Sequence, residues 1–117
     1  MKFIKVKTQF EGFHKYENAP EEVSFLRNRH RHVFGLTVKI QVTESDRELE
    51  YFLVLKDVKT LIKKYLKQTK ETESCEMIAE FFLDYLETKY RNRRIEVEVS
   101  EDDENSSLVD NFQSYGN

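Results

Sequence analysis

Three histidines, His14, His30 and His32, are the side chains in this sequence best suited to metal chemistry. One residue separates His30 from His32, and on a β-strand that spacing points both imidazoles to the same face. His14 follows a first alternating segment that would pair with the second in a hairpin. The hairpin connection would then carry His14 to the other two. Three neutral imidazoles with a fourth position left to water form the donor set of a catalytic zinc site. Zinc in such a site lowers the pKa of its bound water to about 7. A His-x-His pair on a strand is also ordinary polar surface, so the spacing alone leaves both readings open.

Cys75 is the single cysteine. It falls at the predicted start of a second helix, where the helix dipole would lower a thiol pKa and make Cys75 a candidate catalytic residue. The alternative is a small thiol packed between helix and sheet. Arg27, Arg29 and Arg31 surround the histidines. Arg29 and Arg31 are expected on the strand face opposite His30 and His32. There they would meet a phosphate-bearing ligand, an acidic neighbouring subunit or solvent.

The elements that must position these residues are legible from hydrophobic period. Ile4, Val6, Thr8 and Phe10 share one face of a first strand, with Lys5, Lys7 and Gln9 on the other. Residues 11–28 contain Gly12, Asn18 and Pro20 and read as strand end plus loop. His30, His32, Phe34, Leu36, Val38, Ile40 and Val42 share one parity and predict a long half-buried strand. Tyr51, Val54, Leu55, Val58, Leu61, Ile62 and Tyr65 keep helical spacing, although Tyr51 to Leu55 could also be extended. Lys67 to Glu73 is the connection, and Ser74 is a good N-cap for a second helix burying Ile78, Phe81, Phe82, Tyr85 and Leu86. Ile95, Val97 and Val99 make a third strand, and Leu108, Val109 and Phe112 a short fourth. The order ββααββ predicts an α+β fold, a four-stranded antiparallel sheet with two helices on one face. An open sheet of this size leaves two edges that pairing between subunits would cover, so a homo-oligomer is expected.

Composition bounds the rest. A chain of 117 residues and 14.1 kDa fits one domain, expected over residues 1–113 with 114–117 frayed. The longest apolar run, Tyr51 to Leu55, falls far short of the ~18 residues of a membrane span. The opening MKFIKVKTQF alternates like a strand and lacks the apolar core of a signal peptide. A net charge of -3 argues against a nucleic-acid partner. One cysteine excludes an internal disulfide framework, and a cytoplasmic location is the simplest expectation.

The segments FEGFHKY, RHRHVFGLTVKIQV, ESCEMIAEFFLDYL and IEVEVSEDDENSSLV occur in this order along the chain. Together they resemble the 6-pyruvoyltetrahydropterin synthase and 6-carboxytetrahydropterin synthase family. Arg31 stands where that family's His-Gly-His strand has glycine. The resemblance implies a T-fold whose subunits join sheets into a barrel, with zinc held by His14, His30 and His32. It places Glu101 at the family's strand-end glutamate, which anchors a pterin or purine-like ring at a subunit interface. It places Glu76 at the glutamate that opens the second helix. A carboxylate can accept two N–H bonds from the amide–amine edge of such a ring. Without the resemblance, Glu101 is one more charge in an acidic turn, and Glu76 a carboxylate offsetting a helix dipole.

The resemblance also implies residues that are missing. Leu26 occupies the place of a cysteine base, and Lys67 to Glu73 holds neither the Asp nor the His of the family's proton-transfer pair. Val54 aligns with a further aspartate of the family, although Asp57 lies nearby. Acid–base groups typically contribute about 10²- to 10⁴-fold each. Three readings follow: a zinc enzyme acting on a pterin or purine-like small molecule, a non-catalytic binder that sequesters or senses such a ligand, and a structural oligomer.

Overall fold

The two strongest alternating segments become the two longest strands. In a computed structural model, which describes residues 1–68 and 70–112, β1 (Lys2–His14) and β2 (His30–Val42) have 13 residues each. They pair antiparallel over their whole length, from Lys2 opposite Val42 to His14 opposite His30. β1 thus runs through Gly12 and Phe13 to His14, where the sequence reading had the strand ending. The link to β2 contains a 3-10 segment, Glu21–Arg27. β3 (Ile95–Glu101) pairs with the other side of β2, and β4 (Asn105–Asp110) with β3, giving the sheet order β1-β2-β3-β4. The fold is α+β, with the expected ββααββ order. The expected fraying of 114–117 lies outside the described residues.

Helix α1 (Tyr51–Lys67) starts where its apolar spacing starts, capped by the Glu50 carboxylate, which accepts from Phe52 N at 2.9 Å. Helix α2 (Cys75–Lys89) is capped by Ser74, whose Oγ accepts from Met77 N at 3.2 Å. Both helices cover one face of the sheet, α1 over β1 and α2 over β3 and β4. Val54, Val58, Ile62 and Tyr65 from α1 meet Ile78, Ala79, Phe82, Leu83 and Leu86 from α2 above Phe10, Phe34, Leu36, Val38, Ile40, Val97 and Val99. Each large apolar side chain removed from water here contributes about 1.5–3 kcal/mol.

The buried stripe of α2 differs from the expected one. Ala79 and Leu83 are buried, whereas Phe81 sits at the flank and Tyr85 is 37% exposed, with the Lys64 ammonium 4.2 Å above its ring. Apolar residues cover so wide an arc of α2 that period alone does not choose between the two rows. No helix among the described residues is long and apolar enough to cross a membrane.

Candidate metal centre and adjoining cleft

Full-length pairing of β1 with β2 puts His14 directly across from His30, and His32 two residues further along the same face. The three ring centroids lie 4.5–4.8 Å apart, and one nitrogen from each ring falls within 4.8 Å of the others. Phe34 forms the floor, its ring 5.5 Å from that of His14 and 5.7 Å from that of His32. Gly12 makes room for this floor: a Cβ there would lie 2.9 Å from Phe34 Cε2.

Each imidazole is held by its Nδ1. That of His30 lies 2.8 Å from the Asn28 carbonyl, that of His14 3.4 Å from the Glu73 carbonyl, and that of His32 2.6 Å from Asp102 Oδ2. Carbonyls and carboxylates only accept, so these contacts assign the proton to Nδ1 and leave a lone pair on every Nε2. The Nε2 atoms of His30 and His32 are buried without a hydrogen-bond partner. Glu101 adds negative charge, with Oε2 3.4 Å from His32 Nε2 and Oε1 3.7 Å from His14 Nε2. Acceptors therefore face acceptors, an arrangement that either a divalent cation or a proton on one Nε2 facing Glu101 would satisfy. Zinc fits this donor set. Burial holds the His14 pKa below the ordinary imidazole value; the Glu101 charge opposes this and the other two histidines reinforce it.

The α1–α2 connection is clamped to the end of β1. Lys15 N donates to Glu71 O at 2.7 Å, and Arg29 Nε donates to Glu71 Oε2 at 2.8 Å. The Arg29 guanidinium lies 3.8 Å from the Phe13 ring centre. Glu73 follows, and its carboxylate accepts from the Tyr65 hydroxyl at 3.2 Å. This clamp delivers the carbonyl that faces His14.

A cleft of about 640 Å³ opens beside the histidines, lined among others by His14, His30, Cys75, Glu76, Glu101 and Ser107. Concavities of similar size on the open sheet face and beside the β2–α1 turn hold no comparable cluster of ligating side chains among the described residues. Glu101 therefore stands both at the cleft and at the histidines. Glu76 lines the cleft, but its carboxylate accepts from Ser107 Oγ at 2.7 Å, a tie between α2 and β4 that lowers its pKa.

Of the two readings of Cys75, the packed thiol is the one found, not the dipole-lowered one. It is buried, its Sγ lies 3.5 Å from Glu101 Oε1, and its pKa is pushed up to about 12. Burial is the largest cause, followed by the charge of Glu101 and the hydrogen bond to it. These outweigh the half-charge of a helix end, so the thiol is not a base at neutral pH.

The arginines are engaged elsewhere. Arg31 pairs with Glu11 at 2.6 Å, Arg29 with Glu71, and Arg27 donates to the Ala19 carbonyl at 2.8 Å. Asp57 accepts from the Tyr90 hydroxyl and pairs with Lys89 at 3.6 Å. Leu26 lines the cleft, so no thiolate stands at that position. The sequence reading missed Asn28, Glu73 and Asp102, the residues that orient the rings. Only the strand register, which places Glu101 opposite Phe34, puts Asp102 next to Val33 and His32. No protein-family model matches the chain, and no curated protein matches it.

Proposed function

We propose that this protein is a zinc-binding, tetrahydropterin synthase-like protein that takes a pterin or purine-like ring into the cleft beside the histidines. The observation that carries the zinc reading is the convergence of three imidazoles whose Nδ1 atoms all face acceptors, so that their lone-pair nitrogens meet without a donor. His14, His30 and His32 would hold the metal. A bound zinc supplies Lewis acidity towards a carbonyl or hydroxyl of the ligand. Glu101 would accept the N–H edge of the ring, and Glu76, fixed by Ser107, would shape the cleft wall. The ring class rests on the resemblance of the four sequence segments.

A second reading, a binder that sequesters or senses its ligand without turnover, is favoured by one feature of the cleft. Leu26 replaces a cysteine base, and the thiol that is present, Cys75, stays protonated at neutral pH. The outer edges of β1 and β4 are unpaired within the sheet, which supports a homo-oligomer joined through them. Sedimentation should then give a mass several times 14.1 kDa. Cytoplasmic residence belongs to the same proposal.

Elemental analysis of purified protein tests the zinc reading. The expected result is near-stoichiometric zinc, most of it lost in His32→Ala. Metal-free wild-type protein whose thermal stability does not respond to added zinc would overturn it.

A further inference from the structure

We infer that Asp102 is a positioning residue for the metal centre, fixing the tautomer and orientation of His32. The inference rests on the zinc reading of the three histidines. The β2–β3 ladder ends at Phe34 opposite Glu101. Beyond it, Asp102 continues the pairing alone. Its N–H donates to Val33 O at 2.8 Å, and its Oδ1 accepts from Val33 N at 2.9 Å. A side-chain oxygen thus stands in for the carbonyl the ladder no longer provides. The second oxygen, Oδ2, lies 2.6 Å from His32 Nδ1. Two donors on adjacent residues of β2 therefore fix both oxygens of one carboxylate.

The turn does not by itself account for an aspartate. Asp102 and Asp103 both have left-handed backbones, with φ of 52° and 59°. Glycine or asparagine would serve that conformation as well or better. What neither supplies is a charged, two-oxygen acceptor. An imidazole whose Nδ1–H faces a carboxylate keeps its Nε2 lone pair free and more basic, as in carboxylate–histidine–metal arrangements. His14 and His30 face neutral carbonyls from Glu73 and Asn28. His32 alone of the three has a charged Nδ1 partner.

The test compares Asp102→Gly, Asp102→Asn and the neighbouring control Asp103→Gly in the full chain. Zinc affinity is measured by competition with a chromogenic chelator. The tautomer of His32 is read in metal-free protein by long-range nitrogen–proton NMR. Wild type should show the Nδ1–H form at His32. Asp102→Gly keeps a backbone suited to the turn, yet should bind zinc about 10–100-fold more weakly and lose the fixed tautomer. Asp103→Gly should match wild type. Should Asp102→Gly fail to fold, Asp102→Asn, which keeps one acceptor oxygen and tolerance of the turn, should still weaken zinc binding. Unchanged zinc affinity in the Asp102 variants would overturn the inference, as would an equal loss in Asp103→Gly or an Nε2–H tautomer in wild type. In each of those cases zinc uptake by the wild type, measured in the same titration, keeps the zinc reading standing. Wild-type protein that takes up no zinc overturns both.

Discussion

The Sγ atom of Cys75 lies 3.5 Å from Oε1 of Glu101, so the single thiol donates to the carboxylate that borders the histidines. Burial and that carboxylate together push the thiol up to about 12. Alkylation of native protein by iodoacetamide should therefore be slow at neutral pH and rise only in strong base. Glu101→Gln removes the opposing charge and should shift the onset to lower pH, though not to that of a free thiol, because burial remains. A thiol that reacts at neutral pH like a free cysteine would contradict the assignment.

Glu101 and Glu104 provide a paired test of ring binding. Glu104 is exposed and belongs to the turn, where its N–H donates to Glu101 O at 2.9 Å. Truncating one partner of a buried charged pair costs about 2–5 kcal/mol, so Glu101→Ala should weaken binding of a pterin or guanine nucleotide by about thirtyfold or more. Glu104→Ala should change little. Calorimetry, with zinc content checked in both variants, decides the point; equal behaviour would remove Glu101 from the ligand site. Turnover of 7,8-dihydroneopterin triphosphate should be weak or absent, since the cleft offers no thiolate.

Gly12 is expected to tolerate no side chain. A Cβ there lies 2.9 Å from a ring carbon of Phe34, which is buried and stacked 5.5 Å from Phe10. Overpacking of this kind costs about 1–3 kcal/mol, more than the ~0.5–1 kcal/mol a strand gains when alanine replaces glycine. Urea unfolding of Gly12→Ala should show a lower midpoint, partly restored by adding Phe34→Leu. A midpoint at or above that of wild type would mean that the ring has room to move.

Acid sensitivity should trace in part to Glu48. Its carboxylate accepts from Glu44 N at 2.8 Å, from Arg93, and from Thr43 N and Oγ1 at 3.0 and 2.9 Å. These bonds hold its pKa at about 2, the Glu44 amide contributing most. An unfolded glutamate titrates near ~4.3. The folded value is the lower one, so this stabilisation is complete above the unfolded pKa and is lost as pH falls from there towards about 2. Glu48→Gln should flatten that part of the stability profile. Equal slopes for variant and wild type in urea midpoints between about pH 6 and about pH 3 would refute the role.

Much of this fold was legible because β2 alternates cleanly from His30 to Val42 and Ser74 is an effective cap for α2. The histidine cluster was legible for the same reason: strand parity and hairpin pairing are local rules. The end of β1 was not, because Gly12 interrupts the apolar period while serving as space for Phe34, a contact made across the sheet. For Cys75 the sequence offered both a dipole-lowered thiol and a packed one; the packed one is found, but the carboxylate beside it, Glu101, lies 26 residues away and was not legible. Asp102 read as one acid in a turn because its partners, Val33 and His32, lie 69 and 70 residues away.

The three ring nitrogens that orient the cluster are anchored from very different parts of the chain. Asn28 is a near neighbour of His30, but the anchors of His14 and His32 lie 59 and 70 residues away. An isolated β1–β2 hairpin would contain all three proposed ligands and only one of their three anchors. High-affinity zinc binding would then report completion of the whole domain, from the first strand to the last turn. A metal that binds only the finished structure stabilises it by mass action, about 2.7 kcal/mol at a free concentration one hundred times Kd. Global unfolding would then release the metal, whereas the folded metal-free domain would keep all three anchors in place.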